Sequence, residues 1–172
     1  MAVTNKVAWG LDKLEIADLG KIATAAWEQI GYVLEGSISL NFDAPTANEV
    51  RVEELGSAIL TKYEDGSKNI ELDIPNVDAD MLDTLTGATT TNGITALPDT
   101  TQVLKKMVKF TFKEGGALYL TNASIVTNPA GGITKTGTDV FQIHVTIGIN
   151  AGLGGTNYES TGIMIQTGIP TT

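Results

Sequence analysis

The chain contains no cysteine and a single histidine, His144. The first absence excludes disulfides, thiolate metal sites and cysteine nucleophiles together. The second excludes a multi-histidine metal site within one copy. Aromatic residues are few, with two Trp, four Tyr and four Phe. An adhesin or sugar-binding platform therefore has little to draw on, and Trp9 and Trp27 both lie in apolar contexts. No apolar run approaches the roughly 20 residues of a membrane-spanning helix. The opening Met-Ala-Val-Thr-Asn-Lys leads into no apolar signal-peptide core. These features predict a chain that folds in the cytoplasm and has no membrane partner.

Basic residues are scarce as well. Eleven Lys and Arg stand against twenty Asp and Glu, for a net charge of −9. The imbalance is confined to one half. Residues 1–86 carry sixteen acidic and six basic side chains, and residues 87–172 carry four and five. A grip on nucleic acid needs clustered Lys and Arg against phosphate, so this distribution argues against one. It is compatible with a surface that repels nucleic acid, and also with plain solubility.

What the chain does have is short alternating apolar segments. The hydrophobic fraction is 42% over 172 residues, which suits one domain with a real core spanning 1–172. The organising stretch runs from Ser57 to Gly87. It reads as a strand, a tight turn at Glu64-Asp65-Gly66, a second strand and a short helix. Ile70, Leu72 and Ile74 point to one side and Glu71 and Asp73 to the other, giving a buried face and an acidic face. Pro75 ends the strand, Asp78 is placed to cap the helix, and Gly87 to close it.

Elsewhere, strands are expected near Val7–Leu11 and Leu14–Ile16, with a helix over Leu11–Leu19 as the competing pattern. Thr24–Ile30 fits either a helical turn carrying Trp27 or a loop that buries it. Tyr32–Leu40 reads as a strand with a bulge at Gly36. Asn41–Gly56 is a long early loop, part of which alternates as an edge strand does at Val50 and Val52. Ala88–Thr101 is a second polar loop. Gln102–Leu120 forms a hairpin with Val108, Phe110, Phe112, Leu118 and Leu120 inward. Ile125 and Val126 suggest a short added strand, and Asp139–Ile149 is the strongest strand in the chain, with Phe141, Ile143, Val145, Ile147 and Ile149 on one face. Ile163–Gln166 is the last strand. Many short strands and one helix predict a mainly β fold of two packed antiparallel sheets, a sandwich or rolled barrel.

No constellation of catalytic residues emerges. Asn76-x-Asp78-x-Asp80 opens like a calcium loop, but Met81 and Gly87 occupy the positions that need Gly and Glu. Gly152-Leu-Gly154-Gly155 follows a strand, but Asn157 replaces the third glycine of a dinucleotide loop. His144 has no recognisable nucleophile or third partner near it in sequence, which points to a surface or interface role. Neighbouring acids such as Glu71 and Asp73 form a field rather than a tuned acid–base pair. The chain is expected to be neither an enzyme nor a cofactor or metal binder.

Three stretches carry a family likeness: Trp27-Glu-Gln-Ile-Gly-Tyr-Val-Leu-Glu-Gly-Ser, the acidic segment ending Glu53-Glu54-Leu55-Gly56, and the strand–turn–strand–helix ending Leu82-Asp-Thr-Leu-Thr-Gly87. In order and spacing, about Val7 to Gly87 resembles the major tail (tail tube) proteins of phages, with the later hairpin and final strand similar in outline. The resemblance implies two packed antiparallel sheets with a flanking helix. It implies closure into rings, commonly hexameric, whose inner strands form a continuous barrel around a channel. Stacked rings would make the tube through which DNA leaves the capsid. The implied partners are other copies of the chain and other tail proteins, with DNA as non-specific cargo. The implied location is the virion tail, assembled in the host cytoplasm.

The same resemblance assigns roles by position. A long early loop that reaches a neighbouring subunit or ring corresponds to Asn41–Gly56, with Asp43, Glu49, Arg51, Glu53 and Glu54 as its charged residues. Glu71 and Asp73 are the expected channel-facing pair, and Glu64 and Asp65 the expected hairpin tip near a ring junction. The lysine-bearing hairpin around Lys109 is the competing inward face. Other classes stay open: the tube subunit of a contractile injection or secretion system, or a monomeric or trimeric capsid-decoration or binding module.

Overall fold

The computed structural model describes residues 10–51, 58–75, 78–113, 115–130 and 142–167. Among them the chain is mainly β, with one short α-helix. The strands are β1 (Leu11–Ala17), β2 (Glu28–Gln29), β3 (Ser39–Phe42), β4 (Thr46–Arg51), β5 (Ala58–Glu64), β6 (Lys68–Pro75), β7 (Thr89–Thr91), β8 (Ile94–Ala96), β9 (Val103–Phe112), β10 (Ala117–Ala130), β11 (Gln142–Ile149) and β12 (Ile163–Gln166). Helix α1 spans Ala79–Thr86.

One sheet holds most of these strands in the order β2-β1-β9-β10-β11-β6-β3, all antiparallel, with β12 on a branch from β10. The branch follows from an irregularity in β10 between Leu120 and Ala123. Before it, β10 lies between β9 and β12; after it, between β9 and β11. A bulge bends a strand and increases its twist, and here the sheet folds over so that its two halves share one core. Leu14, Ile16, Val108, Phe110 and Leu120 come from the first half. Ile70, Leu72, Ile74, Ile125, Ile143, Val145 and Ile147 come from the second. Two polar residues of the bulge, Thr121 and Asn122, are buried and hydrogen-bond the carbonyls of Thr161 and Ala151 at 2.6 and 2.7 Å. The glycine-rich segment 151–162 is thereby tied to the bulge.

β6 alternates as its sequence predicts, with Ile70, Leu72 and Ile74 buried and Glu71 and Asp73 on the opposite face. Asp78 caps α1 by accepting from the Met81 N–H at 2.8 Å, and Gly87 closes the helix in the left-handed region at φ 68°. Met81, Leu82 and Leu85 turn toward the core. Asp78→Ala is expected to lower stability by about 1 kcal/mol, read as a shifted urea midpoint with an unchanged slope.

Several expectations are overturned. Residues 11–17 form one strand, not two short ones and not a helix, because Leu14 and Ile16 must face the core beside Phe110 and Val108. Trp27 sits in neither a helical turn nor a buried loop, but half-buried between a 3-10 turn at Ile22–Thr24 and β2. Of Tyr32–Leu40, only Ser39 and Leu40 are strand; a turn at Glu35-Gly36 interrupts it, with Gly36 at φ 78°. Ala88–Thr101 contains a hairpin, β7–β8, turning on Asn92 and Gly93 with φ of 52° and 77°. Both central residues of a two-residue hairpin turn of this kind need positive φ, which Asn and Gly tolerate. Ile125 and Val126 continue β10 rather than starting a new strand. Of the strongest strand, Phe141 lies outside the described residues.

The largest correction concerns the organising stretch. β5 and β6 do not pair with each other. β5 pairs β4, and β6 pairs β3 and β11. The segments β3–β4 and β5–β6 form one long ribbon in a single register, from Ser39 opposite Glu71 to Phe42 opposite Lys68, and from Thr46 opposite Glu64 to Val50 opposite Leu60. Between the two parts the Asp43 N–H donates to the Ser67 carbonyl at 2.9 Å. Gly66 is required at this junction for space, not for positive φ, since a Cβ there would lie 2.3 Å from the Asp43 carbonyl oxygen. Much of the expected loop 41–56 is therefore strand, and its residues 52–57 lie outside the described residues.

Candidate functional site

Two features of the fold lack an internal purpose: the outer part of the ribbon and the open face of the sheet around β6. The ribbon comes first. β4 and β5 pair only with each other and form a separate two-stranded sheet. Six residues at ~3.3 Å each carry β4 about 20 Å beyond β3. Every side chain of residues 41–50 and 60–65 is exposed. Directly opposed residues share a face, so Val50 and Leu60 form an apolar pair, exposed 51% and 60%. Leu40 and Phe42 near the ribbon's base are exposed 60% and 54%. Tyr63 stands out on the other face of the arm. Long exposed strands with apolar residues invite pairing or docking by another chain.

The predicted loop residues distribute along this arm. Glu49 and Arg51 lie on β4, and Asp43 lies at its root, where its carboxylate accepts from the Ser67 hydroxyl. Glu53 and Glu54 lie outside the described residues. Glu64 and Asp65 are not at a hairpin tip: Glu64 ends β5, 3.4 Å from Lys62 Nζ, and Asp65 follows it at the junction with the sheet. The turn signal in Glu-Asp-Gly-Ser is thus used for a change of sheet, which sequence cannot distinguish from a hairpin.

On the open face, β6, β11 and β10 set their outward residues in rows. Asp73 lies opposite His144, which lies opposite Asn128; Glu71 lies opposite Thr146, which lies opposite Val126. The His144 Nδ1 lies 2.8 Å from an Asp73 carboxylate oxygen, with the ring N–H donating. The Asp73 backbone N–H donates to the Ser37 hydroxyl at 3.1 Å. Glu71 and Asp73 therefore share a face, but they are not equivalent: Asp73 has a partner, while Glu71 has no ion-pair partner among the described residues. The Asp73–His144 contact was invisible in the sequence because it joins residues 71 apart.

The competing lysine face is largely neutralised. Lys109 Nζ lies 2.9 Å from Glu15 and 5.6 Å from the centre of the Trp27 ring, which in turn lies 5.9 Å from the Tyr119 ring. Lys106 lies 2.5 Å from Asp18. Such surface pairs contribute roughly 0–1 kcal/mol each, so their main effect is on local charge. The Lys106 hydrogen bond, and then its charge, hold the Asp18 carboxyl below the usual carboxylate range. A carboxyl whose pKa is depressed on folding stabilises the fold above its unfolded pKa, and that contribution is lost as pH falls through the folded value. Asp18→Asn is therefore expected to lower the melting temperature slightly at neutral pH. The difference should vanish in acid, measured by parallel melts across pH.

No group of three or more His, Asp or Glu among the described residues is arranged to hold a metal ion. No described helix is long and apolar enough to cross a membrane. Compared with protein-family models and with curated proteins, the chain matches none.

Proposed function

We propose that the chain is a structural subunit that assembles with copies of itself into stacked rings, the tail tube of a phage, around a channel for DNA. The observation that carries this reading is the unpartnered ribbon, which extends well outside the core and bears apolar side chains. A monomer gains nothing from such an arm, whereas a neighbouring subunit can cover it. The sheet also offers free edges for lateral pairing. On one side stands β3; on the other, the first residues of β9, Val103–Lys106, pair only with β10 among the described strands. Pairing one copy's β3 with the next copy's β9 is head-to-tail, and a head-to-tail contact that closes makes a ring. Continuing the sheet this way sets Glu71, Asp73 and His144 of every copy on one surface.

Repetition turns a modest local charge into a field. A ring of Glu71 side chains repels phosphate over distances within the Debye length of about 8–10 Å. The deciding experiment is light scattering on a sizing column across protein concentration, with negative-stain images of the same fractions. Rings or tubes with a central hole are expected; a monomer at every concentration would overturn the assembly reading. For the channel face, Glu71→Lys with Asp73→Lys should leave tubes intact but make them retain DNA in a filter-binding assay that wild-type tubes pass. Failure of tubes to form would make these residues contacts rather than lining.

A further inference from the structure

Two unpartnered apolar features stand at opposite ends of the sheet. At the end where the ribbon leaves, the folded-over halves of the sheet part to leave a cavity of about 260 Å³. Its wall is made by Leu40, Ile70, Phe110, Phe112 and Leu118, with no charged side chain among its lining residues. At the other end, past Pro75 and α1, the β7–β8 hairpin projects with Ile94 beside its turn, 74% exposed. The placement follows from the topology. β6 runs from the ribbon at Lys68 to Pro75, and α1 and the hairpin follow it, while residues 97–102 lie against Thr127–Pro129 at the far end of β10. The hairpin cannot reach the cavity of its own chain. Charge is complementary in part. Residues 78–102 carry Asp78, Asp80, Asp83 and Asp99 and no Lys or Arg. Near the cavity stand exposed Lys68, opposite Phe42, and Lys113, packed against Gly10. Of the acids at that end, Asp43 is hydrogen-bonded to Ser67, and Asp12 remains exposed.

We propose that the cavity receives Ile94 from the β7–β8 hairpin of a second copy, so that copies join along the strand direction with a fixed polarity. This rests on the stacked-ring reading and names the axial contact within it. A knob and a hole at opposite ends make an open, head-to-tail contact that repeats without closing. Stacking then leaves one end of every assembly with empty cavities and the other with free hairpins.

The absence of native cysteine makes a direct test available. The variant Leu40→Cys with Ile94→Cys is concentrated and mildly oxidised, then run on a non-reducing gel beside each single variant. The expected result is a ladder of covalent oligomers from the double variant that reduction collapses, and that thins when Lys68 and Lys113 are also changed to Glu. Each single variant should give no ladder. The absence of a ladder, or a dimer alone, would overturn the proposal. The outcome is separable from that of the ring reading: rings on the grid without a ladder remove the axial contact and keep the ring, and a ladder without rings does the reverse.

Discussion

Changing Val50 and Leu60 together to Thr is expected to suppress assembly while leaving the subunit folded. Both positions are more than half exposed, face each other across β4 and β5, and touch no other strand. Thr keeps the β-branched shape that strands favour, so the ribbon itself should persist. Burying the pair against a neighbour should contribute about 2–4 kcal/mol per contact, so its loss should raise the concentration needed for assembly by roughly 30- to 1,000-fold. Thermal stability of the monomer should move by no more than about 0.5 kcal/mol. Sedimentation across a concentration series, paired with a melt, separates the outcomes. Unchanged assembly removes the arm as the contact element. A large fall in stability would mean that the arm packs within its own subunit.

The second large effect lies in the core. Leu72→Ala should cost about 2–5 kcal/mol, because Leu72 is fully buried between Ile70 and Ile74, opposite Val145 on β11 and in one cluster with Leu85 of α1. Removing it leaves a cavity at the place where sheet and helix meet. For a chain of this size the melting temperature should fall by about 2–4 °C per kcal/mol. Tyr32→Ala is the control, since Tyr32 is 79% exposed and its loss should leave the melt within about 0.5 kcal/mol of wild type. Equal effects at the two positions would mean that β6 does not sit at the centre of the core.

The amino-acid sequence alone settled what depends on neighbours along the chain. The period of two in Ile70, Leu72 and Ile74 and in Ile143, Val145 and Ile147 marked two buried faces, and both are buried. The Asp78 cap, the Gly87 stop and the β9–β10 hairpin are local too, and each appears. The mainly β architecture with one short helix follows from the sum of such signals.

Only the tertiary structure decided which strand pairs with which. Alternation states which face of a strand is buried, but it is silent about the partner strand. Glu64-Asp65-Gly66-Ser67 carries the chemistry of a hairpin turn, yet β5 turns away to β4 because β3 and β11 already occupy both edges of β6. That choice moved Glu64 and Asp65 from a hairpin tip to the root of an arm, and it placed Val50 beside Leu60. The Asp73–His144 contact and the apolar cavity arise the same way, from segments distant in sequence brought together by sheet register and by the bulge in β10.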